Sequence, residues 1–404
     1  MLPPSWPRRR FIVSSAAAVA GLAECSFAAD PAAPVGAPPI DNPAAPLFAA
    51  PAALVPIRAS ADRIIAVSVC TRPFRAQGPR IEAQRVGGKT VIHNYGHGGS
   101  GWSLSWGSAR VAVQLALATR DKRLAVIGCG AIGLTSALEA QRAGLRVTIY
   151  SRERPPEVHS LAASGVWSPA SRICSEEHAT PLFRAQWQAM AHHSFARFQS
   201  LLGLPGAPVE WCDGYFLSDL PLDVPVPGGR GHGSESEPAY PDLDEGVRDL
   251  LPRPQRLQRA EHPFAVPHAV RYTQMVFNLG AYTRLLMDDF LRQGGEIVER
   301  DFASPRQFTT LKERTLIHAT GYGARALLGD ESVVPVRGQT AKLVPQPDVN
   351  YGITYRGHNL SVVPRRDGLL VQAQADGDFG SADTLPDRAA SHAAVLRLAG
   401  LFKV

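Results

Sequence analysis

The run Leu124-Ala125-Val126-Ile127-Gly128-Cys129-Gly130-Ala131-Ile132-Gly133 decides how this chain folds. Four apolar residues predict a short buried strand. The three glycines form a G-x-G-x-x-G turn, and a helix is expected from Leu134 to about Ala143, capped by Gly144. Arg146–Tyr150 reads as the next strand. Gly128 permits the tight turn, Gly130 lets a pyrophosphate approach the backbone, and Gly133 lets helix and strand pack closely. The phosphate charge then meets the free N–H groups of the helix, with Cys129, Ala131 and Ile132 in the turn. Strand, turn, helix and strand together predict a dinucleotide site in an α/β fold. The acid expected after the second strand is displaced, because Tyr150 is followed by Ser151, Arg152 and Glu153. Glu153 suits a ribose hydroxyl and Arg152 a phosphate, so NAD, NADP and FAD all remain open from the fingerprint alone.

Outward from this unit, Ile64–Val69 reads as a buried strand and Thr90–His93 as another. Leu104–Leu117 has the pattern of a helix, as do Thr180–Leu202, Asn278–Gln293 and Ala389–Leu401. Thr315–Ala319 reads as a strand, and two or three more are expected between Val336 and Val371. Pro221–Pro263 is rich in Pro, Gly, Asp and Glu, loosest at Gly228–Gly231, and predicts a long surface loop with one helical turn.

The chain has 404 residues, 45% apolar, and a formal charge of +6. The first 28 residues carry three arginines and one acid, so the remainder keeps +4. That mild balance gives no electrostatic footprint for nucleic acid. Arg8-Arg9-Arg10-Phe11-Ile12, an Ala-rich apolar core to Ala23 and Ser26-Phe27-Ala28 predict a twin-arginine export signal over 1–28 and a periplasmic or otherwise exported protein. Its apolar run is too short for a membrane span. Residues 29–56 read as a Pro/Ala-rich tether. Cys70, Cys129, Cys174 and Cys212 show no metal spacing, and no metal is expected; buried free thiols are the simplest reading.

A second glycine-rich stretch lies upstream: His93-Asn94-Tyr95-Gly96-His97-Gly98-Gly99-Ser100-Gly101-Trp102-Ser103. It resembles the closing signature of the D-amino-acid oxidase family of flavoenzymes. Five further segments carry the same resemblance. Ala162–Pro169 is similar to the family's second flavin-contact loop, which implies cofactor contacts from Ser164, Gly165 and Val166. His318-Ala319-Thr320-Gly321 resembles the strand-end motif at the adenosine half, with Thr320 as the contact. Pro335–Gln339 resembles the entry into the substrate sheet, Val362–Arg365 the strand lining the substrate side, and Arg72–Arg75 with Arg80–Glu82 the segment before the glycine peptide. The resemblance implies FAD as cofactor, in a Rossmann-like domain beside a mixed-sheet substrate domain. The cofactor part is expected at about 90–175 and 295–330, with Phe302 among its contacts. The substrate part is expected at about 57–89, 176–294 and 331–404.

The order of these segments differs from the family's, which places the fingerprint first and the glycine peptide near its end. The pattern is that of a circular permutant, with the old termini fused over Ala118–Arg123. The implied chemistry is oxidation of a D-amino acid to an imine and then a 2-oxo acid, with hydride passing to the flavin and O2 as final acceptor. A glycine- or sarcosine-type dehydrogenase serving an electron carrier is the alternative. No protein acid or base is required for the carbon's hydrogen. Arg72 is the implied fork for the substrate carboxylate, with Gly99, Ser168 and Tyr355 as further substrate contacts. Gly98, Gly99, Gly101 and Trp102 are expected against the flavin, with loop N–H groups and Ser103 meeting charge on its pyrimidine ring. His97 is expected to bond loop backbone. Ser100 and Trp102 replace the family's usual tyrosine and leucine, and its lid tyrosines have no aligned counterpart. A homodimer is compatible with this reading.

Overall fold

The structure, a computed structural model, describes residues 54–224, 237–373, 375 and 377–402. The expected export signal, most of the expected tether, Cys25 and Gly228–Gly231 lie outside the described residues. In chain order, β1 (Ile64–Phe74) is followed by a hairpin of β2 (Arg80–Val86) and β3 (Lys89–Tyr95). Next come α1 (Gly101–Ala118), β4 (Arg123–Ile127), α2 (Ala131–Arg142) and β5 (Arg146–Ser151). After α3 (Pro181–Gln199) run β6 (Val209–Ser218), β7 (Gln255–Leu257) and β8 (His268–Phe277). Then follow α4 (Leu279–Arg292), β9 (Glu296–Glu299), β10 (Thr315–His318) and α5 (Gly323–Leu328). The chain closes with β11 (Val334–Leu343), β12 (Tyr351–Tyr355), β13 (Leu360–Arg365), β14 (Gly368–Ala373) and α6 (Arg388–Ala399).

Two sheets result. The first has six strands in the order β2-β3-β10-β4-β5-β9, parallel except for the β2–β3 hairpin. β4 sits inside it, and Leu124 to Ile127 are all buried, as a strand covered on both faces must be. α1 and α2 cover one face, with α3 packed on α1 and α4 on α2, and Trp106, Leu134, Leu138, Phe198 and Leu286 lie in one apolar cluster. α1 and α3 approach most closely at Gly107, where a Cβ would stand 2.2 Å from the Met190 carbonyl oxygen. The second sheet has eight strands in the order β1-β11-β14-β13-β12-β6-β8-β7, antiparallel except where β12 lies parallel to β6. α6 packs on it, sharing a cluster with Ile57, Tyr351 and Phe402.

The α/β class with a Rossmann-like sheet beside a mixed sheet therefore stands. Several details depart from expectation. Ile64–Val69 is not a fully buried strand, because β1 is an edge strand that pairs with β11, and Ile65 is 55% exposed. Residues 80–86, expected with the substrate part, form β2 at the edge of the cofactor sheet. Four strands, not two or three, lie between Val334 and Ala373. β6 carries Asp213-Gly214, a pair that reads as a turn. Here Gly214 is a strand residue whose missing side chain makes room for the Tyr272 ring, 2.4 Å from where a Cβ would stand. Cys70, Cys129, Cys174 and Cys212 are free thiols, as expected.

Candidate functional site

β3, β10 and β4 end side by side, and a cavity of about 750 Å³ opens beyond their carboxyl ends. This is where an open parallel sheet binds its ligands. Two helices begin at the cavity. α2 starts at Gly130 and α1 at Ser100; neither has a side-chain cap or an acid in its first turn. Each therefore turns first-turn N–H groups that no N-cap side chain satisfies, and the positive end of its dipole, toward the cavity, with the Ala131 N–H of α2 taken by Ser160. Ala131 and Ile132 of α2 line the cavity, as do Gly101 and Trp102 of α1. A short 3-10 turn, His159–Ala162, ties the two helix starts together. Trp102 Nε1 donates to the Ser160 carbonyl at 2.8 Å, and the Ala131 N–H donates to Ser160 Oγ at 3.2 Å.

The glycines perform separable tasks. Gly128 has φ +107° and lies under the Ala319 carbonyl, 2.7 Å from where a Cβ would be. Gly128, Cys129 and Gly130 line the cavity, whereas Gly133 does not. Its absent Cβ would lie 2.0 Å from the Gly128 carbonyl oxygen, so it serves helix–strand packing. In the second glycine peptide, Gly98 has φ +56° and lies against the Arg172 carbonyl, 1.9 Å from a hypothetical Cβ. Its N–H donates to Pro73 O, that of Gly99 to Ser171 O and that of Ser100 to His97 O. The amides of the loop are thus consumed internally, and the donors that face the cavity come from the first turn of α1.

Around the cofactor end, Arg152, Glu153, Ser164, Phe302 and Thr320 also line the cavity. Arg152 donates to Glu153 Oε1 at 3.0 Å, which neutralises much of the arginine's pull on a phosphate. Gly165, Val166 and Ser103 do not line it. Gly165 packs under the Phe277 carbonyl, and Val166 bridges to Val276. Ser103 is buried, with Oγ accepting from the Ser168 N–H at 2.7 Å. The expected role for Ser103 at the flavin is therefore replaced by a structural one.

At the other end the cavity reaches the eight-stranded sheet through Thr71, Arg72, Thr340 and Gln372, with Gly98, Gly99, Ser168 and Thr384 nearby. Arg72 is part-buried in the wall, and loss of solvent around its guanidinium lowers its pKa. Nη1 donates to the Arg337 carbonyl at 2.8 Å. The guanidinium lies flat over Gly338, where a Cβ would meet Nη1 at 2.5 Å. β13, expected to line this side, is set back; β11 and β14 supply Thr340 and Gln372 instead. Tyr355 stands away from the cavity, its hydroxyl donating to Asp219 at 2.8 Å and its ring stacked on His358.

Three residues of this end carried no sequence signal. Arg172 lines the cavity, and its Nε donates to Glu237 Oε1 at 2.7 Å, both residues almost wholly buried. The Tyr240 hydroxyl donates to the same oxygen at 2.7 Å. Sixty-five residues separate Arg172 from Glu237, so no local pattern could announce the pair. His97 also differs from expectation. Its ring bonds no loop backbone, and Nε2 is buried without a partner among the described residues. Burial holds its pKa down at about 3, so it is a neutral imidazole and a poor base.

Two uncapped helix starts and two glycine approaches on one elongated cavity fit a dinucleotide whose pyrophosphate rests on α2 and whose ring system reaches α1. Comparison with known proteins agrees. The family model for FAD dependent oxidoreductases (DAO) matches residues 123–402. A D-amino-acid oxidase of Rubrobacter xylanophilus is 27% identical over 287 residues, 69% of this chain and 77% of that protein. A D-amino-acid oxidase of Dictyostelium discoideum is 43% identical over 270 residues, 65% of this chain and 69% of that protein. A glycine oxidase structure from Geobacillus kaustophilus aligns with a TM-score of 0.48 at 15% identity, covering 70% of this chain and 79% of that one. Because the family model matches more than half of the chain, over residues 123–402, the chain belongs to the DAO family of FAD-dependent oxidoreductases.

Proposed function

We propose that the chain oxidises a D-amino acid to the imine, which water hydrolyses to a 2-oxo acid and ammonia, with O2 as the final electron acceptor and peroxide as product. The observation that carries this reading is Arg72. It is a part-buried guanidinium at the end of the cavity opposite the fingerprint, and among the described residues it hydrogen-bonds a main-chain carbonyl alone. A partly desolvated cation that hydrogen-bonds no carboxylate among the described residues favours an anionic ligand, and the fork geometry suits an α-carboxylate bidentately. FAD, when bound, supplies the two-electron acceptor. Arg72 holds the carboxylate, and Gly98 and Gly99 let the loop pass close to the reacting centre. The Arg172–Glu237 pair closes the wall as a neutralised unit. That neutral wall favours substrates with uncharged side chains. Neutral His97 leaves the substrate amine without a strong protein base nearby. Measured 2-oxo acid and ammonia from a panel of D-amino acids, with peroxide in air, is the expected result. Turnover confined to L-enantiomers or to secondary amines would overturn it.

We also propose that the order of the parts is a circular permutation. In support, the family match begins at residue 123, yet of the elements before it β1 belongs to the eight-stranded sheet, β3 to the six-stranded sheet, and α1 packs on the latter. Ile57 and Leu401 are buried in one apolar cluster, which supports chain ends on the same part of the molecule. Export through the twin-arginine route is the third proposal, resting on Arg8-Arg9-Arg10 and the apolar run after them.

A further inference from the structure

β3 and β10 pair in register so that His93 faces His318, and both are fully buried. Their rings meet through Nδ1 and Nδ1 at 3.4 Å. His93 Nε2 lies 2.9 Å from Gln84 Oε1, and His318 Nε2 lies 2.7 Å from Thr320 Oγ1. Nothing in the proposed reaction uses either histidine. The proton positions nevertheless follow from one fixed point. Arg80 Nη2 donates to Gln84 Oε1 at 3.2 Å, and a guanidinium is a donor only, so this atom of Gln84 is the carbonyl oxygen. His93 Nε2 must therefore donate to it. The rings are neutral, because burial lowers their pKa values to about 4 and about 3. His93 Nδ1 is consequently an acceptor, and His318 Nδ1 must be the donor. That leaves His318 Nε2 as an acceptor, so Thr320 gives its hydroxyl hydrogen to it. Thr320 lines the FAD cavity.

We infer that Gln84, His93 and His318 form a one-way hydrogen-bond relay that positions the Thr320 hydroxyl as an acceptor toward FAD. The cofactor atom that meets Thr320 Oγ1 is then a donor, a ribose hydroxyl or the adenine amine, and not a phosphate oxygen. The relay crosses three strands, β2, β3 and β10, of which two lie outside the segment that matches the family model. Tyr95 keeps it dry, its ring edge-on to His93 and His318 at 5.7 and 5.2 Å. Gln84 itself is exposed, so the relay can be cut from the surface without opening the core.

The direct test is nitrogen NMR of histidine-labelled protein, with and without FAD. The expected pattern is His93 protonated at Nε2 and His318 at Nδ1. His318 protonated at Nε2 would overturn the proposal. Gln84→Leu then supplies a functional readout. FAD dissociation, followed by flavin fluorescence, is expected to weaken roughly 3- to 10-fold, the weight of one neutral hydrogen bond. In a Thr320→Val background the same substitution is expected to change nothing further. An unchanged dissociation constant in Gln84→Leu, or additive effects in the double variant, would refute a relay acting through Thr320.

Discussion

Arg72 lies flat on β11 because residue 338 is glycine. The three heavy atoms nearest the place of the missing Cβ all belong to the Arg72 guanidinium, the movable end of a flexible side chain. Gly338→Ala is therefore expected to fold normally and to tilt the guanidinium off the carboxylate, raising KM for the D-amino acid about tenfold or more. Arg72→Leu removes the charge altogether and is expected to cost about 2–5 kcal/mol, or roughly 30- to 5,000-fold in kcat/KM. Steady-state kinetics on the two variants checks the ordering, and equal, small effects would count against Arg72 as the carboxylate fork. The buried histidines act on stability at the same scale. His93, His97 and His318 all have pKa values lowered by burial, to about 4, 3 and 3. Above about pH 6.5 neither the folded nor the unfolded chain protonates them, and their contribution is complete. As pH falls below that value the unfolded chain binds protons that the folded chain refuses. Each histidine then removes about 1.4 kcal/mol per pH unit, until its folded form titrates near pH 3 to 4. Urea unfolding at pH 7 and pH 5 is expected to show a shallower loss in His97→Gln than in the parent, and identical slopes would contradict it.

Among the elements, α1 does two tasks at once: its first turn faces the cofactor and its middle packs on α3. Alanine in place of a helix glycine normally stabilises by about 1 kcal/mol. At Gly107 the added methyl would meet the Met190 carbonyl at 2.2 Å, a backbone atom that cannot swing aside. Overpacking of that kind costs roughly 1–3 kcal/mol, so the clash outweighs the propensity. Gly107→Ala is expected to lower stability in thermal unfolding, and a stabilised variant would show that α3 yields. The same element shows what the sequence could reveal. Leu104–Leu117 was legible as a helix from its apolar pattern, but its start at Gly101 was not, because glycine and serine signal a loop until tertiary context extends the helix over them. β4, α2 and β5 were legible because a fingerprint couples local torsion needs to a fixed period. β6 and β8 were hidden, since Asp213-Gly214 and Arg271 break the alternation that marks a strand. Arg172 with Glu237 was invisible because a pair so distant in sequence exists only in the fold. Tyr355 misled for the opposite reason: a tyrosine near the right strand says nothing about which face it takes.

For the whole molecule, the proposed permutation treats the parts as a closed ring. β1, β3 and α1 precede the fingerprint in the chain, yet β1 edges the substrate sheet and β3 joins the cofactor sheet beside β10. If the order is a permutation, a chain joined from residue 402 through a short flexible linker to residue 57, and reopened within Ala118–Arg123, is expected to fold and bind FAD with unchanged affinity. A rejoined protein that is insoluble or colourless would argue against it. The central claim concerns the cavity that this ring encloses: FAD lies along the α1 and α2 starts, and a D-amino acid is held by Arg72 at the far end. The most direct measurement is anaerobic mixing of the FAD-loaded protein with neutral D-amino acids while flavin absorbance is followed. The account predicts bleaching by D-enantiomers, none by the matching L-enantiomers, and loss of the response in Arg72→Leu. A flavin that stays oxidised with every D-amino acid, or bleaches equally with both enantiomers, would contradict it.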